Sequence, residues 1–307
     1  MNRGELFDVQ GHIVFVTGAA SGLGLAYAEV MAANGARVTL ADSDAPRLEK
    51  VLARMRAAGV TVEGEVLDVA NSAALRTAID KTADGNGRLD AVFANVGISS
   101  GPGFEVAESG RIEALDPDIL QRVIDINLKA SLYTIKFAAP HMKKRRTGSI
   151  VVTTSIAGIK AESVVGYPYI ATKAAMANVV RQAAVELAPY NIRVNAIAPG
   201  PFYTNIAGGR LHRDQETVKL FADMVPLGRL AKTDEIKGLA LLLASPAGSY
   251  LTGTVIPIDG GATAVMTRAT SFVGETRSAM SWLTEIIEAA QEPRAAPTDA
   301  RSCILPS

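Results

Sequence analysis

The sequence predicts an α/β fold built on one doubly wound parallel sheet of about seven strands, with helices on both faces. Short apolar runs alternate with longer segments of helical period, and this alternation is typical of strands joined by helical crossovers. Glycine is abundant, at 27 of 307 residues, as many tight strand-to-helix turns require. A glycine-rich turn also joins the first predicted strand to the first predicted helix. We therefore expect residues 1–262 to form a single domain.

The order of the elements follows from these patterns. The apolar runs predict seven strands, at Ile13–Thr17, Arg37–Ala41, Val62–Leu67, Leu89–Ala94, Ser149–Thr154, Ile192–Ala198 and Thr254–Ile258. Helical period predicts helices at Gly22–Asn34, between the capping Asp44 and Gly59, and at Ser72–Ala83, Asp118–Arg146, Tyr167–Ala188 and Thr233–Leu243. Pro140 is expected to bend the longest of them. Right-handed crossovers between such strands produce the doubly wound arrangement.

Two regions depart from this regularity. Pro201–Leu230 is a long connection between a strand and a helix, and connections of that length inside a compact domain are usually functional. Residues 263–307 form a C-terminal extension. Apolar residues recur at helical spacing over 279–290, which predicts an amphipathic helix, and the end from Pro293 is expected to be disordered.

Composition restricts the class of protein. Lys plus Arg and Asp plus Glu both number 31, so the sequence offers no broad basic surface for nucleic acid or membrane headgroups. The single cysteine, Cys303, cannot form an internal disulfide, and we find no signal sequence or membrane-spanning run. We expect a cytoplasmic protein. His12, His141 and His212 lack the spacing of metal ligands, so no metal is expected.

The glycine-rich turn is the first functional signal. It runs from Thr17 to Gly24 in a G-x3-G-x-G pattern, and it lacks the lysine of a nucleotide-binding phosphate loop. Glycines let the backbone approach a phosphate, and the following helix offers free N–H groups to it. An ordinary turn is the alternative, but the position after the first strand favours a dinucleotide site. Its predicted members are Gly18, Ser21, Gly22, Leu23 and Gly24.

Asp42 indicates which dinucleotide. It ends the second predicted strand, 18 residues after Gly24, where a carboxylate accepts hydrogen bonds from the adenosine ribose and repels a 2′-phosphate. No Lys or Arg occurs from Ala19 through Gly24 or at Ser43. A role as a turn or cap residue is the alternative. We therefore expect NAD rather than NADP.

A second constellation indicates chemistry. Tyr169 and Lys173 are four residues apart, so they share one face of a predicted helix. A nearby cation favours the phenolate and lowers the pKa of a tyrosine, which is otherwise about 10. Ser155 lies 14 residues before Tyr169, just after a predicted strand, where ligands bind in this architecture. Alone, the Tyr–Lys pair would indicate only two surface residues.

Together these blocks make residues 8–262 resemble the short-chain dehydrogenase/reductase family, in its main single-domain branch with a Rossmann-like fold. The matching blocks are TGAASGLG (17–24), Asp42, LDV (67–69), ANVG (94–97), DINL (125–128), TTSIAG (153–158), YIATK (169–173), NAIAPGPFYT (195–204) and IDGG (258–261). Two positions depart from the family pattern: Val96 replaces an alanine, and Phe202 replaces an isoleucine or valine. Neither removes a catalytic group.

The resemblance implies roles for individual residues. Tyr169 would be the general acid/base, Ser155 would bind the substrate oxygen, Lys173 would lower the pKa of Tyr169 and bind the nicotinamide ribose, and Asn127 would hold a water in a proton relay. The implied cofactor contacts, besides the turn and Asp42, are Asp68, Val69, Asn95, Gly97, Tyr169, Lys173, Pro199, Gly200, Phe202 and Thr204. The family also implies a homotetramer or homodimer.

The implied activity is hydride transfer between NAD and a secondary alcohol or ketone. Apolar residues in the long connection and beside the site favour an apolar or cyclic substrate, although helix packing alone would explain them. They are Phe202, Tyr203, Ile206, Leu211, Phe221, Met224, Ile156, Val164 and Val165. A cyclic diol or dihydrodiol is the alternative substrate. A catalytically silent NAD-binding sensor or scaffold is disfavoured, because all four predicted catalytic residues are present.

Overall fold

The structure is a computed structural model that describes residues 2–265. These residues contain one sheet of seven parallel strands. The spatial order is β3-β2-β1-β4-β5-β6-β7, so the direction of winding reverses between β1 and β4. The strands are β1 (Ile13–Thr17), β2 (Arg37–Asp42), β3 (Val62–Val66), β4 (Ala91–Ala94), β5 (Gly148–Thr153), β6 (Ile192–Pro199) and β7 (Val255–Ile258). All seven predicted strands are confirmed, with ends that differ by one or two residues.

Ten α-helices accompany the sheet in the described part of the chain. They are α1 (Arg3–Leu6), α2 (Gly22–Ala33), α3 (Ala45–Ala57), α4 (Ser72–Asn86), α5 (Pro117–Val123), α6 (Ala130–Arg145), α7 (Tyr167–Leu187), α8 (Arg210–Arg213), α9 (Gln215–Ala222) and α10 (Lys237–Ala244). The short α1 is absent from the predicted helices. Asp44 caps α3 as predicted, since its carboxylate accepts a hydrogen bond from the Arg47 N–H at 3.0 Å.

Apolar side chains form a separate core on each face of the sheet. Helices α2, α3 and α10 cover one face, where Met31 and Leu243 are fully buried. Helices α4, α6 and α7 cover the other, where Ile79, Met142 and Val180 are fully buried. A parallel sheet needs this double cover because its strands are apolar on both sides. The predicted doubly wound class is therefore confirmed.

The long helical stretch predicted over Asp118–Arg146 is confirmed, but it is not α-helical throughout. A π-helical segment, Ile124–Lys129, separates α5 from α6, and Pro140 lies inside α6 without ending it. The long connection Pro201–Leu230 likewise contains α8 and α9. The helix predicted at Thr233–Leu243 begins as a 3₁₀ turn and becomes α-helical only at Lys237.

The predicted amphipathic helix at 279–290 and the predicted disorder after Pro293 lie outside the described residues. Within residues 2–265, no helix combines the length and the apolar character that crossing a membrane requires.

Candidate active site

Apart from Asn127, Tyr169 and Lys173, which lie on helical segments, the predicted site residues lie at or after the carboxyl ends of six strands, which meet at one edge of the sheet. The glycine turn follows β1, and Asp42 ends β2. Asp68 and Val69 follow β3, and Asn95 and Gly97 follow β4. Ser155 follows β5, and Pro199 and Gly200 lie at the end of β6. Thus the parallel topology gathers side chains that are up to 180 residues apart in sequence.

Close backbone packing shapes the glycine turn. Gly18 has a φ of +64°, a conformation that favours glycine, and it turns the chain from β1 toward α2. A Cβ on Gly24 would lie 2.1 Å from the Gly18 carbonyl oxygen and 2.6 Å from Asn95 Nδ2. A Cβ on Gly22 would lie 3.6 Å from Thr204 Cγ2, so the segment after β6 reaches the turn. The turn therefore has the bare backbone that a phosphate-binding cradle needs.

Gly24→Ala is expected to destabilise the protein by about 1–3 kcal/mol, because the added methyl forces the turn away from Asn95. Urea unfolding measures this change, and titration with NAD measures the accompanying loss of cofactor affinity. Gly85→Ala is the matched control, since a Cβ at this exposed position on α4 meets no atom of the described residues within 4 Å. Equal stability of the two variants would contradict the steric argument.

The Asp42 carboxylate lies against the glycine turn. Its Oδ2 accepts a hydrogen bond from the Ala20 N–H at 2.9 Å, and its Oδ1 accepts one from the Asp44 N–H at 3.0 Å. The Leu67 N–H donates to the Asp42 carbonyl at 2.9 Å, which brings the end of β3 alongside. A negative charge is thus held by the backbone beside the turn.

Asp68 and Val69, the predicted adenine contacts, have different environments. Asp68 is exposed, and its carboxylate accepts a hydrogen bond from the Ala70 N–H at 2.9 Å. Val69 is buried in the core on the α4 face. Since its side chain packs in the core, a contact with adenine would have to come from its backbone.

A buried hydrogen-bond chain connects α2 to the glycine turn. The Tyr27 hydroxyl lies 3.2 Å from Thr153 Oγ1, which donates to Asn95 Oδ1 at 3.1 Å. Asn95 Nδ2 in turn donates to the Thr17 and Gly18 carbonyls at 3.2 and 3.4 Å. Asn95 therefore orients the turn through its amide, in addition to its predicted contact with the ribose.

Lys173 is a buried cation with a defined position. Its side chain is 3% exposed, and Nζ donates to the Thr153 carbonyl at 2.9 Å. Burial lowers the pKa of Lys173 from 10.5 to about 8. Nζ lies 5.5 Å from the centre of the Tyr169 ring, and a Cβ on Gly97 would meet it at 3.1 Å. The space above Gly97 is therefore lined by the lysine.

Tyr169 and Ser155 come together as predicted. Burial raises the pKa of Tyr169, a hydrogen bond with Ser155 lowers it, and the charge of Glu162 raises it further. Ser155 Oγ also accepts a hydrogen bond from the Ala157 N–H at 3.1 Å, which orients its hydroxyl. Lowering of the Tyr169 pKa by Lys173 stays a prediction, because burial has the larger effect.

Asn127 lies in the π-helical segment and is almost fully buried. Its Oδ1 accepts a hydrogen bond from the Ile98 N–H at 2.8 Å, and its Nδ2 donates to the Ile98 carbonyl at 3.0 Å. A Cβ on Gly97 would lie 3.6 Å from Asn127 Oδ1, so the amide borders the same space as Lys173. Asn127 thus holds the start of the loop after β4, and its part in a proton relay stays a prediction.

Comparison with known proteins identifies the family. Residues 18–263 match the family model described as Enoyl-(Acyl carrier protein) reductase. A cyclohexanol dehydrogenase from Rhodococcus sp. is 33% identical, over 83% of this chain and 97% of the relative. The chain belongs to the short-chain dehydrogenase/reductase family. Members of this family act on alcohols and ketones, and the group includes a galactitol 2-dehydrogenase from Agrobacterium fabrum that is 34% identical over 81% of this chain and 96% of the relative.

A solved structure supports the same assignment for the fold. The gluconate 5-dehydrogenase from Burkholderia cenocepacia, in complex with NADP and tartrate, superposes with a TM-score of 0.79 at 28% identity. The match covers 86% of this chain and all of that protein. The short-chain dehydrogenase/reductase family uses a nicotinamide cofactor.

Phe202 differs from its prediction. In this short-chain dehydrogenase/reductase its ring is buried in the core on the α2 face, and its backbone bridges to Ala231. Phe202 therefore packs the base of the long connection instead of lining a substrate pocket. Ile156, by contrast, forms a small apolar cluster with Val225 and Ala262 beside Ser155, so one predicted pocket residue does lie next to the site.

Two contacts of the catalytic residues carry no signal in the sequence. The Ser100 hydroxyl accepts a hydrogen bond from the Tyr169 N–H at 3.3 Å and so helps to hold the start of α7. The Thr153 carbonyl holds Lys173. Both contacts depend on the tertiary fold, and only the position of Thr153 at a strand end hints at a role.

Proposed function

We propose that this short-chain dehydrogenase/reductase transfers a hydride between NAD and a secondary alcohol or ketone, with Tyr169 as the general acid/base. The observation that carries the proposal is the hydrogen bond between the Tyr169 phenol and the Ser155 hydroxyl, together with the buried Lys173 ammonium 5.5 Å from the centre of the Tyr169 ring. Two hydroxyls of this kind form an oxygen-binding pair, and the cation compensates negative charge that develops on the phenol.

In oxidation, Tyr169 removes the proton of the substrate hydroxyl while Ser155 donates a hydrogen bond to the same oxygen. Lys173 stabilises the phenolate form of Tyr169 and would also bind the ribose of the cofactor. Asn95 and the glycine turn orient the rest of the dinucleotide. When bound, the nicotinamide supplies the hydride acceptor or donor. In reduction, Tyr169 returns the proton to the oxygen of the product.

The preference for NAD is supported by Asp42. Its carboxylate lies against the turn through the Ala20 N–H, where the charge of a 2′-phosphate would be repelled. The sequence offers no Lys or Arg from Ala19 to Gly24 or at Ser43 to bind a 2′-phosphate. The choice between NAD and NADP therefore depends on the Asp42 side chain.

Asp42→Asn is expected to shift the ratio of kcat/KM for NAD to that for NADP by about tenfold to 100-fold toward NADP. The substitution removes a charge-assisted acceptor and the repulsion together, and hydrogen bonds to charged groups contribute about 1.5–3 kcal/mol. Steady-state kinetics with both cofactors measures this ratio. Asp44→Asn, at the neighbouring exposed cap, is the control. A wild-type protein that prefers NADP by more than a few-fold would contradict the proposal.

An apolar or cyclic substrate is the proposed class, supported by the Ile156–Val225–Ala262 cluster and by the relative named for cyclohexanol. Formation of NADH from a panel of secondary alcohols tests activity, cofactor and substrate together. A protein that binds NAD and oxidises none of them would instead be the sensor or scaffold. Product identification separates simple alcohols from cyclic diols.

Assembly into a homotetramer or homodimer and a cytoplasmic location stay predictions. Exposed Leu132 on α6 and Val185 on α7 support assembly, because a second subunit would cover these apolar side chains.

A further inference from the structure

Glu162 is a buried carboxylate in the segment between the two catalytic hydroxyls. Its residue is 6% exposed, and within residues 2–265 its Oε1 has no hydrogen-bond partner. A buried polar atom left in this state usually costs about 1–3 kcal/mol. Such atoms are rare in folded proteins and often belong to sites that a ligand completes.

Neighbouring groups compensate the negative charge of the Glu162 carboxylate only in part. Lys160 Nζ forms an ion pair with Glu162 Oε1 at 3.5 Å, the limit of a hydrogen bond, and its shorter contact is the hydrogen bond that it donates to the Ala262 carbonyl at 2.7 Å. The nearby carboxylate of Asp259, in contrast, accepts hydrogen bonds from the Gly261 N–H and from the N–H and hydroxyl of Thr263. Among residues 2–265, both oxygens of Asp259 therefore receive hydrogen bonds, whereas Oε1 of Glu162 receives none.

Backbone pairing holds the segment that carries Glu162. The Gly103 N–H donates to the Val164 carbonyl at 3.1 Å, and Pro102 bridges to Val165. A Cβ on Gly103 would lie 2.1 Å from the Ser163 carbonyl oxygen, so the two segments are in close contact. Glu162 is thus fixed at its position instead of being free to turn into solvent.

Glu162 also lies close enough to the catalytic site to act on it. Burial raises the pKa of Glu162, and its charge raises the pKa of Tyr169. The charged form of Glu162 therefore opposes the phenolate that proton abstraction requires. A charged carboxylate at this position hinders proton abstraction by Tyr169 unless it also contacts the substrate.

We propose that Glu162 accepts a hydrogen bond from a second hydroxyl of the substrate, so that the preferred substrate is a cyclic alcohol with an additional hydroxyl group. The inference rests on the proposed function and narrows its substrate class. It follows from the burial of Glu162 in the segment that joins Ser155 to Tyr169 along the chain, from an Oε1 atom that has no hydrogen-bond partner among residues 2–265, and from the apolar Ile156–Val225–Ala262 cluster next to Ser155. A substrate carboxylate would be repelled by the same group.

The test compares oxidation of cyclohexanol with that of the isomeric cyclohexanediols and of 4-hydroxycyclohexanecarboxylate by the wild-type protein and NAD. We expect kcat/KM for the best diol to exceed that for cyclohexanol by about tenfold to 100-fold. Glu162→Leu is expected to bring this ratio close to one, and Glu162→Gln, which keeps an uncharged acceptor, to give an intermediate ratio. Glu186→Gln, an exposed position on α7, is the control with the same change of charge.

The outcomes separate this inference from the proposed function. Oxidation of cyclohexanol as efficiently as every diol, or a preference for the carboxylate, would overturn the role of Glu162 and leave the dehydrogenase standing. If no compound is oxidised, the proposed function fails. Calorimetric titration of the NAD-loaded protein then decides the inference: tighter binding of a diol that Glu162→Leu abolishes supports it, and equal or absent binding overturns it.

Discussion

Tyr169→Phe is expected to lower kcat by about 10²–10⁴-fold while the affinity for NAD stays within a few-fold of wild type. The substitution removes only the phenolic oxygen, so the ring still fills its place beside Lys173. Without that oxygen no group takes the proton from the substrate hydroxyl, and Ser155 loses its hydrogen-bond partner. Steady-state NADH formation and fluorescence titration with NADH measure the two quantities separately.

Tyr167→Phe is the matched control. Tyr167 lies two residues earlier on α7, is 39% exposed, and has no lysine four residues on. Its replacement is expected to leave kcat near the wild-type value. Residual turnover of Tyr169→Phe within a few-fold of wild type, in a folded protein, would refute the acid/base role.

The sequence predicted the strands and the strand-end residues well for a physical reason. A buried parallel strand requires a nearly continuous apolar run, and β1 and β4 show such runs between polar or glycine-containing turns. Once the strands are known, parallel winding places whatever follows them at one edge of the sheet. That is why the glycine turn, Asp42 and Ser155 could be assigned to one site before any contact was known.

Other features depend on hydrogen-bond register and on distant packing, and side-chain periodicity does not encode them. The π-helical segment Ile124–Lys129 adds one residue to the helical turn without changing its apolar character, so the sequence predicted one continuous helix. Phe202 was assigned to the pocket with the other apolar residues of the long connection, and packing was the alternative; its ring lies in the core. Glu162 carried no motif, since its significance lies in the hydrogen bond that it lacks among the described residues.

Lys173→Met is expected to lower kcat by about 10²–10³-fold, comparable to the removal of a group that stabilises developing charge in a transition state. The Lys173 Nζ lies 5.5 Å from the centre of the Tyr169 ring, and in the proposed mechanism it stabilises the phenolate against burial, which raises the pKa of that phenol. Lys50→Met, at an exposed position on α3, is the control and should keep full activity.

Lys173→Met should also change how the free energy of unfolding depends on pH, because Lys173 is buried as a cation. Its pKa is about 8 in the folded protein and 10.5 otherwise, so between these values the unfolded chain binds more protons than the folded one. The stability contributed by Lys173 is therefore fully present above its unfolded pKa and is lost as the pH falls through about 8. The difference corresponds to roughly 3 kcal/mol.

Urea unfolding of wild type and Lys173→Met measures this contribution directly. Near pH 7 the variant escapes the cost of a buried charge but leaves the Thr153 carbonyl without its donor, and these effects are of similar size. As the pH rises toward 10, the wild-type protein should gain stability relative to the variant. A stability difference independent of pH would mean that Lys173 is not a desolvated cation, and the electrostatic basis for Tyr169 as the base would fall with it.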